Sequence, residues 1–351
     1  MKPRRPDAAR WLFLLAWILA GLAASPETSA LLAQDAEEVS LSERFPFRVS
    51  SRRDSGQMIA LVKPLCVEAG KSTVQIYSNN KPVALGLVVD SAGLVVTKRS
   101  ELSGDPIRVR LPDDRMVNAR VAAVRREDDL ALLKADATDL VAAKLDTSEP
   151  GVGHFLVTVG RNGRPIHIGA VSVGSRPIAA TGRLGIQLEN NAEGLATVNL
   201  VLPDSGASAA GIQLGDRIVA IDGKPSGGSA EVVAFLRNFF PGESIRLTIA
   251  RDGNTVEINA QMREFSVMLE SENDARLNGP RNSRLSGFDA VLQHDTVLEP
   301  DQCGGPLVDS QGRIVGLNIA RAGRVVSFAL PNRIVQPLVE AMIQEAQSVN
   351  P

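Results

Sequence analysis

The stretch Asp301-Gln302-Cys303-Gly304-Gly305-Pro306-Leu307 decides the reading of this chain. Two glycines after a small nucleophilic side chain let the backbone turn tightly, so that its N–H groups can converge on a developing oxyanion. Leu307-Val308-Asp309, a Ser310-Gln311-Gly312 turn and the apolar run from Ile314 to Ile319 follow, and they predict a β-hairpin. Upstream lie Leu292-Gln293-His294-Asp295 and the short segment Thr296 to Pro300.

Working outward, Val83, Leu85, Leu87 and Val89 alternate with other residues, Asp90-Ser91-Ala92-Gly93 supplies a turn, and Leu94-Val95-Val96-Thr97 returns as a second strand. Lys98-Arg99-Ser100-Glu101-Leu102 comes next, and Glu127-Asp128-Asp129-Leu130-Ala131-Leu132 opens a later strand. Together these segments resemble the HtrA/DegP-type trypsin-like serine proteases. That family carries T-N-x-H-V after such a hairpin, T-D-L-A-V downstream, and Q-T-D-A followed by G-N-S-G-G. The resemblance implies a mostly β fold, a trypsin-like double β-barrel. It places Ser100 at the general base, Asp129 at the orienting carboxylate and Cys303 at the nucleophile, so one of three triad positions is retained.

A serine hydroxyl cannot take the nucleophile's proton or return it to a leaving amine at neutral pH. Loss of the base alone costs on the order of 10⁶ in rate in a comparable serine protease. A thiol is a few per cent thiolate at pH 7 and is nucleophilic unaided, which leaves the leaving amine without a proton donor. Asp301 stands where the family has an oxyanion-hole glycine, and a carboxylate there opposes the developing charge. The three histidines offer little replacement: His154 and His167 read as surface or strand residues, and His294, on a loop approaching the cleft, falls on the wrong side of it.

A second unit begins near Gly182. Leu184-Gly185-Ile186-Gln187-Leu188, the run Gly206 to Asp216 and Ile218 to Gly223 resemble a PDZ domain. Ser229 to Phe239 has helical periodicity, and Ser244 to Ala250 with Thr255 to Gln261 reads as a hairpin. In that family the loop at Leu184-Gly185-Ile186 presents N–H groups to a C-terminal carboxylate while the peptide adds as a strand, here beside Gln187-Leu188. Because protease motifs resume after this unit, the PDZ domain is expected to be inserted in the second barrel.

With 351 residues there is room for two or three domains, and 44% hydrophobic residues allow real cores. A formal charge of −2 gives no basic footprint, so nucleic acid is not an expected partner. No metal-ligand spacing or cofactor motif is present. Lys2, Arg4, Arg5 and Arg10 precede the 14-residue apolar run Trp11 to Ala24, the pattern of a signal peptide. The expected address is the periplasm or cell envelope, with an uncleaved anchor as the alternative. The two cysteines, Cys66 and Cys303, are expected as separate thiols.

The expected organisation is a signal peptide over 1–34, a flexible segment 35–55, the first barrel 56–148, the opening of the second 149–178, a PDZ domain 180–263, a polar linker 264–287, and the rest of the second barrel with a closing helix 288–347. Two functions compete. One is a proteolytically inactive or impaired family member that binds peptides or unfolded proteins through its PDZ domain, with an empty protease cleft as a second place for them. The other is an active envelope endopeptidase with Cys303 as nucleophile.

Overall fold

Apolar alternation on successive strands buries one face of each, and a sheet that closes on itself leaves no free edge. In the computed structural model, which describes Arg53 and residues 55–349, α1 (Gly56–Ser72) leads into β1 (Thr73–Ser78), β2 (Lys81–Asp90), β3 (Leu94–Lys98), β4 (Ile107–Arg110), β5 (Met116–Arg125) and β6 (Leu130–Ala135). These strands close in the order β1-β2-β3-β6-β5-β4. The register sets Val88 opposite Val95 and Val95 opposite Leu133, so one buried layer runs across three strands. The expected signal peptide lies outside the described residues. No described helix is long and apolar enough to cross a membrane.

The second barrel begins with β7 (Phe155–Val159) and β8 (Pro165–Ile178), and then the chain leaves it. The excursion comprises β9 (Gly182–Arg183), β10 (Ile186–Asn190), β11 (Ala196–Val201), α2 (Gly206–Ala209), β12 (Arg217–Ile221), β13 (Lys224–Pro225), α3 (Ser229–Leu236), β14 (Ser244–Arg251), β15 (Asn254–Gln261) and β16 (Arg263–Glu264). Its main sheet runs β10-β11-β12-β14-β15, which leaves β10 at an edge. It has its own core around Val198, Ile218, Val232 and Leu247. Helix α3 ends at Leu236, short of the expected Phe239, and its start is capped from outside: Gly228 has no side chain, and Asn190 Oδ1 accepts the Ser229 N–H at 2.7 Å.

At the neck of this insertion β16 pairs with β9, and the buried Glu264 ties the two crossing strands together. It accepts from Thr181 Oγ1 at 2.6 Å and from Leu285 N at 2.6 Å. The stretch read as a polar linker is folded: α4 (Phe265–Met268) and α5 (Glu272–Asn278) are followed by Asn282, Arg284 and Ser286, all buried.

The chain then re-enters the second barrel as β17 (Phe288–His294), β18 (Pro306–Asp309), β19 (Ile314–Gly323) and β20 (Val326–Pro331), and finishes in α6 (Asn332–Val349). Closure runs β17-β20-β19-β18-β7-β8. Strands from either side of the insertion are thus direct neighbours, with Leu307 opposite Thr158 and His294 opposite Val171. The molecule is a trypsin-like double β-barrel with a PDZ domain inserted in the second barrel. Val62, Cys66 and Ala69 of α1 and Val335, Val339 and Met342 of α6 share one core with both barrels.

Candidate functional site

Ser100 follows β3 and Asp129 precedes β6, and the pairing of Lys98 with Leu130 brings the two ends side by side. The Asp129 carboxylate accepts from Ser100 N at 2.8 Å, Ser100 Oγ at 2.9 Å and Lys98 Nζ at 2.8 Å. The side chains of Lys98 and Asp129 are both 0% exposed. Asp129 therefore has no imidazole to orient; its charge is neutralised by a buried lysine that stands in the family's asparagine slot.

Cys303 reaches this corner from the other barrel, with its carbonyl accepting from Leu85 N at 2.8 Å. The turn depends on Gly304, whose φ of +92° and close approach to the Leu85 carbonyl leave no room for a side chain. One of the two expected oxyanion donors, the Cys303 N–H, is already engaged. The Cys303 N–H donates to Pro300 O at 3.3 Å within the 3₁₀ turn Pro300–Gln302, and the Gly304 N–H donates to Asn318 O at 2.7 Å. Asp301 is half-buried, and burial followed by the neighbouring Glu299 pushes its carboxyl above the usual range.

The cleft is not empty. Cys303 is 0% exposed, and its sulfur lies 3.2 Å from Asn282 Oδ1. The amide orientation of Asn282 follows from its other partners. Oδ1 accepts the Arg321 N–H at 2.7 Å, while Nδ2 donates to Glu101 Oε1 at 3.0 Å and Pro300 O at 3.2 Å. An amide oxygen against sulfur requires the thiol proton to lie between them. Burial agrees, pushing the thiol up to about 12 against the opposing pull of Lys98. Ser283 N and Oγ also donate to Glu101 Oε1, at 3.2 and 3.0 Å. The residue beside the replaced base thus holds the returning chain across the cleft.

Arg284 locks this plug to the PDZ domain. Its guanidinium donates to Arg126 O and Glu127 O, both at 2.5 Å, and lies 3.9 Å from the ring centre of Phe240 and 4.7 Å from that of Phe288. Beside it, Glu243 accepts from Arg126 Nε at 2.6 Å and Arg99 at 3.1 Å. Burial works against the Glu243 charge, yet the hydrogen bonds from Arg126 outweigh it and hold the carboxyl below its ordinary range.

None of the histidines takes the base's place at the sulfur's bonded partner. His154 is exposed beside Gly151. His167 lies in β8. His294 is not on a loop as expected but ends β17, where it is 0% exposed with Nδ1 2.6 Å from Thr296 Oγ1; burial brings it down to about 4.

The PDZ groove is arranged in the opposite sense. Leu184, Gly185, Ile186 and Leu188, with Val233 and Leu236 of α3 and Phe265 of α4, line a cavity of about 320 Å³. Gly185 has φ +84° and sits against Ser205, a turn that only glycine adopts readily. Neither the Leu184 nor the Gly185 N–H donates to a described backbone acceptor. Gln187 is exposed on the open edge of β10 and Leu188 faces the groove. Arg183, just before the loop, is spent on Gly182 O at 2.7 Å and on the Phe265 ring, 6.0 Å from its centre.

The family model for the PDZ domain matches residues 182–262. The chain is 31% identical over 105 residues to the serine endoprotease DegS of Escherichia coli K12, covering 30% of this chain and 29% of that one. It is 32% identical over 91 residues to the periplasmic serine endoprotease DegP of the same organism, covering 26% and 19%. Over these stretches the chain is similar to HtrA-type serine endoproteases, and it carries a PDZ domain. It spans less than a third of the length of these curated relatives. A serine endoprotease structure from Yersinia pestis also matches, at 18% identity and a TM-score of 0.25, over 57% of this chain and 97% of that one.

The structure sets Ser100 against Asp129, with Cys303 joined to Leu85 of the same barrel and to Asn282, and separately places Leu184 to Leu188 at the PDZ groove. Sequence reasoning missed Lys98, Asn282 and Arg284. A lysine directly after four buried strand residues was the one available signal, since such a residue needs a carboxylate partner when its strand is buried. Nothing local marks Asn282, which meets Cys303 only because the chain returns across the cleft.

Proposed function

We propose that this protein is a proteolytically inactive envelope member of the HtrA type that binds peptides or unfolded polypeptides by their C-termini in the PDZ groove. One observation carries the reading: the N–H groups of Leu184 and Gly185 are unspent beside an open strand edge, whereas the Cys303 N–H and thiol are both engaged and buried. A C-terminal carboxylate would accept from the loop while the peptide backbone adds along β10 and its last side chain enters between Leu236 and Phe265. The relatives named as periplasmic, together with the basic and apolar N-terminal segment, support an envelope location with a cleaved signal peptide.

Inactivity follows from four features that act on different steps. Ser100 cannot serve as base, Lys98 neutralises Asp129, the Cys303 N–H of the oxyanion loop is engaged, and Asn282 fills the approach to the sulfur. Restoring Ser100→His with Cys303→Ser leaves the last three in place and is expected to yield no protease. Binding is tested by titrating a C-terminal peptide library, free and C-terminally amidated, against wild type and Val233→Arg, which obstructs the groove from an exposed position. Selected free peptides should bind at modest affinity, since a few residues bury little area and must be ordered. Equal binding of amidated peptides, or equal binding by Val233→Arg, refutes carboxylate capture in this groove.

A further inference from the structure

Asp301 and Gln302 also line a second cavity, of about 610 Å³, which neither the plug nor the PDZ groove uses. Its walls come from both barrels: Gln75 and Tyr77 of β1 and Arg110 of β4 on one side, and residues 160–167 at the β7–β8 turn on the other. Arg110 and Arg161 converge there on one oxygen of Asp114, at 2.9 and 2.8 Å. Arg161 is held in that pose by a further bond to Leu111 O at 3.0 Å. Asp114 is 58% exposed, so the carboxylate between the two guanidiniums is one that water already reaches and that another carboxylate can replace at little cost.

Two more donors have no described partner. The Arg164 side chain is exposed at the rim, and the Tyr77 hydroxyl is half-buried in the wall. The one carboxylate among the lining residues is Asp301. Three guanidiniums thus face one shared carboxylate and one lining carboxylate, an excess of positive charge in a concave site. Concave walls of one sign focus the field on what enters.

We infer that this cavity binds an acidic polypeptide segment, whose aspartate or glutamate carboxylates are received by Arg110, Arg161 and Arg164. The pair already holding Asp114 shows the geometry that receives a carboxylate, and Arg guanidinium forks suit that group. The size argues for a chain over a lone oxyanion, because the cavity falls in the range that accommodates ligands of many atoms. Leu85 and Ile166 in the wall give the methylenes of acidic side chains and the backbone an apolar surface that an inorganic anion would not use. This site does not rest on PDZ capture, and the two are separable because the ligand needs no free C-terminus.

The test uses a fluorescently labelled hexaglutamate peptide, amidated at its C-terminus, with binding to the full chain read by anisotropy at low salt. Wild type should bind, Arg164→Glu should weaken binding about tenfold through charge reversal at the rim, and Asp114→Asn should tighten it by removing the resident competitor. Val233→Arg in the PDZ groove and Arg333→Glu on α6 should leave it unchanged. Absence of binding overturns the proposal. So does equal binding by Arg164→Glu, equal weakening by Arg333→Glu, loss in Val233→Arg, or displacement by millimolar inorganic phosphate at matched ionic strength, which would mark a site for a lone oxyanion.

Discussion

The protease corner and the PDZ groove are both built on a glycine turn with positive φ, at Gly304 and at Gly185. At the corner the Cys303 N–H is spent on Pro300 O and the sulfur on Asn282; at the groove the N–H groups of Leu184 and Gly185 are unspent and β10 keeps an open edge. Similar backbone chemistry thus ends in different capacity, and the difference lies in what the rest of the chain places against each turn. Over the corner it places Asn282 and Ser283, with Pro241-Gly242-Glu243 of the inserted domain nearby; over the groove it places Phe265, which leaves a cavity.

The largest effect expected from breaking this contrast is at Lys98. Lys98→Met leaves Asp129 as a buried charge without its cation and should cost about 3 to 5 kcal/mol in denaturant unfolding. Adding Asp129→Asn should recover most of it, and a double variant as unstable as the single one would show that the ion pair is not what holds this corner. Second in size is a pH effect from His294. Its folded value, near 4 through burial, lies below the ordinary value near 6.5. The unfolded chain therefore binds more protons between these values, so the stability from keeping the ring neutral is fully present above about 6.5 and is lost as pH falls towards 4. The upper bound is about 3 kcal/mol. His294→Gln should flatten that slope, and an unchanged slope would assign it to other groups.

Asn282→Ala sharpens the contrast directly. It should cost about 1 to 3 kcal/mol by leaving the partners of its amide unsatisfied, and it should raise the rate at which a thiol reagent labels Cys303 in the native protein. The smallest effect is expected at Arg183, whose guanidinium already serves Gly182 O and the Phe265 ring. Arg183→Gln should weaken peptide binding by less than about fivefold, the scale of an exposed ion pair.

Much of the fold was legible because it is written in local pattern. Val83 to Val89 alternates, Gly304 permits its turn, and the motif at Gln293 to Leu307 resumes after the PDZ signature, which locates the insertion. The same local pattern points to Ser100 and Asp129, which lie side by side in the structure. What closes the corner was not, because it depends on contacts between segments far apart in sequence: Asn282 meets Glu101 across 181 residues and Arg284 meets Arg126 across 158. A polar stretch such as 264–287 reads as solvent-facing until the partners that bury Arg284 are known. His294 was misplaced onto a loop because its polar neighbours Asp295 and Thr296 hide that β17 runs to its end.

The most direct test of the contrast is cleavage of unfolded casein by the purified protein, compared with Cys303→Ala over hours at neutral pH. The account predicts intact casein with both proteins. Casein cleaved by the wild type and spared by Cys303→Ala would show that the corner opens, that Cys303 acts as a nucleophile, and that the plug is not a seal.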